Sequence, residues 1–189
     1  MKLLREITQS IAHLFFPHTC AGCGSDILSS KQLICLHCLR SLPRTGFEHL
    51  ADNPVEKIFW GRLPLQAASS HLYFSKSSRL QAMLHKLKYK GRRDLGILLG
   101  KLMGEALQNA ARFNTVEAIV PLPLHPSKER KRGYNQAALL SDGMSSILNK
   151  PVINNLLIRT RSTESQTHKG REARWQNMQG KFKCNIPAA

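Results

Sequence analysis

Residues 119–136 read IVPLPLHPSKERKRGYNQ, and the reading of this stretch decides the fold. The apolar run Ala118-Ile119-Val120 has the composition of a buried strand, and Pro121 should stop it. Lys128-Glu129-Arg130-Lys131-Arg132 then concentrates charge ahead of Gly133. Asn135 suits the N-cap of a following helix with Ala137, Leu140, Met144 and Leu148 on one face. A basic loop between a strand and a helix is suited to phosphate, because the helix start adds unpaired N–H groups and partial positive charge. The alternative is a solvated basic face.

Working outward, the whole chain shares that bias. Its 189 residues are 42% hydrophobic and 21% charged, ordinary for a globular protein, but its formal charge is +16. Such a surface attracts nucleic acid, phosphorylated small molecules or an anionic membrane face. No apolar run approaches the roughly 20 residues needed to cross a bilayer. The N-terminal MKLLREITQSIAHLFFPH predicts a short amphipathic helix with Leu3, Leu4, Ile7, Ile11, Leu14 and Phe15 on one stripe. It has no continuous apolar core or cleavage site of a secretory signal, so a cytoplasmic location is expected.

Four of the five cysteines form two pairs, Cys20-Ala-Gly-Cys23 and Cys35-Leu-His-Cys38. Each pair can present two thiolates to one tetrahedral ion, and Gly22 and Gly24 allow a tight knuckle. Two disulfides would need an oxidising compartment. A structural zinc site on Cys20, Cys23, Cys35 and Cys38 is therefore expected, with the ion supplying folding energy to a segment too short for a core. His18 and His37 are substitute ligands that four cysteines make unnecessary. Cys184 stands alone as an inert thiol.

Asn53-Pro54 predicts a short helix carrying Val55, Ile58 and Phe59. Leu65–Phe74 suggests a strand or strand pair. Helices should follow Ser77-Ser78, with Leu80, Met83, Leu84 and Leu87 inside, and begin again near Asp94, with Leu95, Leu98, Leu99, Leu102, Met103, Ala106 and Leu107 inside. Val116–Leu122 and Pro151–Ile158 read as strands, Arg159–Gly180 as a long basic loop, and Phe182 as the start of a further strand. Alternating helices and strands imply an α/β domain with a parallel sheet. The expected organisation is an N-terminal helix and zinc knuckle over 1–45, a linker with a short helix over 46–64, and the α/β domain over 65–189.

The two CxxC pairs, HKLKYKG, RKRGYNQ at 130–136 and the spaced RTR…Q…R…R…N pattern ending at Asn177 together resemble the competence protein F (ComF) family. The resemblance covers roughly Phe16 to Phe182. It implies a type I phosphoribosyltransferase-like fold behind a cysteine knuckle, and a link to DNA uptake in natural transformation. It further implies a pyrophosphate-binding loop, carrying Lys128, Arg130, Arg132, Tyr134, Asn135 and Gln136. A flexible closing loop is implied at Arg159, Arg161, Gln166, His168, Lys169, Arg171 and Arg174. The implied ligand is phosphoribosyl pyrophosphate or a nucleotide, with Mg²⁺ on the pyrophosphate.

The family pattern also places two adjacent acidic residues and a Thr- and Gly-containing loop shortly after Phe182. The chain's twelve acidic residues include no adjacent pair, so a C-terminally incomplete domain is expected and no residue is assigned to catalysis. The alternatives are a zinc-containing single-stranded DNA-binding module, with Tyr89, Tyr134 and Trp175 as stacking residues, or a degenerate truncated family member.

Overall fold

The computed structural model describes residues 18–29, 32–161, 170 and 176–185. The N-terminal amphipathic helix and most of the basic loop after Arg161 lie outside the described residues.

The chain forms two compact units. The first comprises the chain up to Thr45 together with Leu72–Lys86. Its core includes Cys20, Ala21, Leu28, Ile34, Cys38, Leu42, Leu80 and Met83. Helix α1 (Leu36–Arg40) starts at the second cysteine pair. Helix α3 (Arg79–Tyr89) gives this unit its first turns. An isolated antiparallel bridge joins Arg44 to Leu72.

The second unit comprises Gly46–His71 and the chain from Leu87 onward. Helix α2 (Pro54–Phe59) starts where expected, because Asn53 Oδ1 accepts from the N–H groups of Val55 (2.9 Å) and Glu56 (3.2 Å). The same Asn53 donates to the carbonyls of Leu50 and Ala68. Glu56 accepts from the N–H groups of Asp52 and Ala68 and pairs with Arg112 at 2.7 Å.

Helices α4 (Arg93–Gln108) and α6 (Gln136–Leu148) form the core of this unit. Leu95, Leu99 and Leu102 of the predicted α4 stripe are buried, but on α6 the buried residues are Ser141 and Gly143 rather than the predicted Ala137, Leu140, Met144 and Leu148, and the closest contact is made by glycines. A Cβ on Gly100 would lie 2.1 Å from the Leu140 carbonyl oxygen, and one on Gly143 would lie 2.3 Å from that of Ile97. Gly96 and Gly104 meet Leu139 and Ile147 in the same way. Spaced four apart, these glycines let two backbones approach closely.

The parallel sheet expected from the sequence is corrected by the structure. Among the described residues the only sheet pairs β1 (Leu157–Arg159) with β2 (Phe182–Cys184), and it is antiparallel, with Ile158 opposite Lys183. The type I phosphoribosyltransferase-like architecture, complete or incomplete, therefore does not describe this chain. Val116–Leu122 is not a strand. It makes one isolated parallel bridge, Ile119 to Val152, closed by Ile119 N–H to the Pro151 carbonyl and Ile153 N–H to the Ile119 carbonyl. Pro121 and Pro123 remove ladder donors there, and Val120 and Leu122 are exposed. Pro151–Ile158 is interrupted by a turn at Asn154-Asn155, which separates the bridge from β1. Leu65–Phe74 contains only the bridging residue Leu72.

The stretch that opened the sequence analysis holds a further correction. Its basic segment is a helix, α5 (Pro126–Arg132), rather than a loop. The His125 side chain caps its start by accepting from Ser127 N–H, and Pro126 fits the first turn. Gly133 ends it at φ 81°, a left-handed conformation that favours glycine. Arg130, Lys131 and Arg132 fall in the last turn, where positive charge complements the negative end of the helix dipole. Part of the charge cluster thus has a local structural reason.

Candidate metal centre and basic surface

The four predicted cysteines come together in the first unit. Their sulfurs all lie within 4.8 Å of one another. Tetrahedral zinc with Zn–S bonds of about 2.3 Å sets its sulfurs about 3.8 Å apart. Cys23 Sγ and Cys35 Sγ are 3.8 Å apart. All four are free thiols, so the alternative of two disulfides does not describe this structure. The cluster is suited to hold a metal ion, and with four sulfurs it leaves no coordination position for a reacting water.

Local chain geometry produces the cluster. Cys20 N–H donates to the Ser25 carbonyl and Gly24 N–H to the Cys20 carbonyl, closing the first knuckle with Gly24 at φ 79°. Ala21 N–H donates to the Leu33 carbonyl and ties the two knuckles together. Cys35 is the N-cap of α1, its sulfur accepting from Cys38 N–H. Gly22 serves packing: a Cβ there would lie 2.9 Å from Cys38 Sγ and 2.7 Å from Met83 Cε. Cys20 and Cys38 are buried, Cys23 is exposed.

The protons of the cluster are unevenly held. Burial opposes ionisation of Cys20, but hydrogen bonds from the backbone at Cys23, Cys35 and Gly22 and from the Cys23 thiol outweigh it and lower its pKa to about 6. Burial, then the thiols of Cys23, Cys20 and Cys35, push Cys38 up. A bound dication would supply the positive charge that lets the remaining thiols ionise. Neither histidine joins them. His18 Nε2 lies 2.5 Å from the Gln32 carbonyl, and His37 Nε2 lies 2.8 Å from Arg79 Nη1.

The predicted basic residues lie in the second unit. Lys128 and Arg132 are half-buried on α5, and Arg130 is exposed. Burial, then the positive fields of Arg159 and Arg132, hold the Lys128 ammonium below the usual lysine value. Lys128 of α5 is therefore within electrostatic reach of Arg159 of β1, although 31 residues separate them in the chain. Arg159 is largely buried, with its guanidinium 5.5 Å from the Phe182 ring; Arg161 is exposed. Arg132 lies 5.6 Å from the centre of the exposed Tyr89 ring and donates to Gln136 Oε1 at 2.6 Å.

Tyr134 and Asn135 have evident structural tasks. Tyr134 is buried, donates its hydroxyl to the Leu87 carbonyl and carries the Arg93 guanidinium 4.9 Å from its ring. Asn135 caps α6 through Ala137 N–H and donates to the Leu122 carbonyl. Gln166, His168, Lys169, Arg171, Arg174 and Trp175 lie outside the described residues. Arg79 carries no signal in the sequence, yet the fold brings it to His37 and to Ser41 Oγ (3.1 Å) from about 40 residues away. No motif spacing signals a contact of that range.

Fold and site thus define a mainly helical, strongly basic chain with a four-cysteine cluster suited to hold a metal ion. Over 187 residues it is 26% identical to competence protein F of Haemophilus influenzae, covering 91% of this chain and 79% of that protein. It is also similar to the DNA utilization protein YhgH of Salmonella typhi, at 26% identity, and of Escherichia coli K12, at 27%, each over 111 residues. Those two alignments cover 57% of this chain and 49% of the relative, so the chain spans about half the length of the YhgH proteins it matches. No protein-family model matches the chain, and no solved structure does. No helix among the described residues is long and apolar enough to cross a membrane.

Proposed function

We infer that the chain is a zinc-bearing module that binds single-stranded DNA during its uptake or utilisation, in a binding rather than a catalytic role. The observation that carries this is that Lys128 feels the positive fields of both Arg132 and Arg159, and that Arg132 in turn overlies an exposed Tyr89. Clustered cations meet the phosphates of a strand, and an exposed ring offers a base a stacking surface. The names of the similar proteins, competence protein F and DNA utilization protein, agree with a DNA ligand. The four thiolates would hold Zn²⁺, whose contribution is to fold the first unit.

Any chain with a charge of +16 binds polyanions in a salt-dependent way, so the test must localise the contact. Binding of labelled oligo(dT) is followed by fluorescence anisotropy over a salt series, with the wild type and an Arg130→Gln/Arg132→Gln variant. Each cation lost from a single-strand contact reduces the log–log salt slope by about 0.7, so the double variant should lose about 1.4. An unchanged slope and affinity would remove α5 from the interface.

A further inference from the structure

The first unit carries a second candidate contact that the basic helix does not explain. Residues 73–79 read YFSKSSR. Tyr73 and Phe74 are adjacent, and 54% and 61% of their surfaces are exposed. Trp60 and Tyr89 are exposed as well, but among the described residues Tyr73 and Phe74 are the two exposed rings that are adjacent in the chain. Their backbone is fixed: Leu72 bridges to Arg44, and Tyr73 N–H donates to the Pro43 carbonyl at 2.8 Å. The rings therefore project from an ordered ribbon.

The turn that follows is ordered as well. Ser78 Oγ donates to the Ser75 carbonyl and accepts from Gln81 N–H, while Gln81 Oε1 accepts from Ser77 N–H. This reciprocal cap starts α3. Beside it lies a groove of about 370 Å³ whose lining includes Ser41, Ser75, Ser77, Ser78 and Arg79. That volume falls within the range of about 300–1,000 Å³ usual for ligand sites. Arg79 Nη1 is held by His37 and Ser41, and among the described residues Nη2 and Nε have no hydrogen-bond partner, so they can meet an anion. Leu72–Lys86 contains Lys76, Arg79 and Lys86 and no acidic residue. Cys38 also lines the groove, and His37 sits on the same short helix, α1. Metal binding at the cysteines would therefore fix the face that holds Arg79.

We propose that this ribbon and groove form a contact site for single-stranded nucleic acid, in which Tyr73 and Phe74 stack on bases while Lys76, Arg79 and the hydroxyls of Ser75 and Ser77 bind the phosphate backbone. Interleaved rings, hydroxyls and cations match that ligand, because every base has a stacking face and every linkage an anion. The proposal deepens the functional reading above and rests on it.

The test uses the full chain loaded with zinc. Oligo(dT) is photocrosslinked to it and the crosslinks are mapped by mass spectrometry, and affinities are measured for Tyr73→Ala/Phe74→Ala and Phe74→Trp. The expected result is crosslinks within residues 72–79, a loss of at least about tenfold in the double variant, and affinity retained in Phe74→Trp. Melting curves are recorded for the double variant and for Phe74→Ala alone, whose 61% exposed ring should leave the melt as in the wild type and whose affinity should still fall. Wild-type affinity in the double variant, with crosslinks confined to the second unit, would overturn this site and leave the functional reading standing. Absence of wild-type binding to single strands would overturn the functional reading, and the site with it.

Discussion

Replacing Gly100 by alanine tests the close approach of α4 and α6, and the sign of the effect is decisive. In an exposed helix, Gly→Ala stabilises by about 1 kcal/mol through backbone entropy and propensity. Here the added Cβ would lie 2.1 Å from the Leu140 carbonyl oxygen and 2.9 Å from its carbon, and both are backbone atoms of α6. A carbon–oxygen contact needs roughly 3.2 Å, so the helices must separate by about 1 Å along a shared core. Overpacking of this kind costs about 1–3 kcal/mol, and a rigid backbone neighbour argues for the upper end. With the propensity gain subtracted, the expected change is a net destabilisation of about 2 kcal/mol. Urea unfolding followed by circular dichroism measures it, with the exposed Lys101→Ala as a control expected within about 0.5 kcal/mol of wild type. Gly143→Ala should behave like Gly100→Ala, and the double variant should cost less than the sum, because one separation relieves both clashes. Stabilisation of Gly100→Ala by about 1 kcal/mol would refute the close helix contact.

Removing the metal with a chelator should raise hydrogen exchange in residues 18–45 and 72–86 while α4 and α6 stay protected, since an ion at the four cysteines would fold only the first unit. Equal loss of protection in both units would contradict that division of labour. Gly22→Ala should weaken metal retention at least tenfold in a competition assay with a coloured chelator, because the new methyl would press on Cys38 Sγ; unchanged retention would mean Met83 and the knuckle yield freely. The hydrogen bond from Arg112, then the Ala68 N–H, holds Glu56 below the usual carboxylate value. The unfolded chain therefore takes up this proton first as acid is added. The contribution of Glu56 to stability is present above the ordinary carboxylate value of about 4.3 and is lost as pH falls through the lower folded value. Glu56→Gln should flatten that acid limb, and an unchanged limb would mean the clasp with Arg112 is not formed in solution.

Local signals were legible, and long-range pairing was not. Asn53 and Asn135 were readable as caps because a capping side chain acts on its own next residues. The cysteines were readable because their spacing is itself the ligand geometry. The sheet was overread. Short apolar runs such as Ala118–Val120 resemble strands, but prolines at 121 and 123 and the turn at 154–155 limit the pairing to one bridge. Helix α5 has no apolar stripe to mark it, and its local signals are only the His-Pro start and the Gly end. The glycines of α4 were passed over for the leucines beside them, although their spacing of four marked the contacting face. The field of Arg159 at Lys128 and the contact of His37 with Arg79 are tertiary events with no local signature.

The most direct test of the central claim compares affinities of the zinc-loaded chain for single-stranded and duplex oligonucleotides of equal length, across rising salt. If cations and exposed rings act together on single strands, single strands bind more tightly, and the preference grows with salt as the screened phosphate term fades and stacking remains. Equal affinities that vanish together at high salt would show a chain that merely attracts polyanions, and would contradict the account.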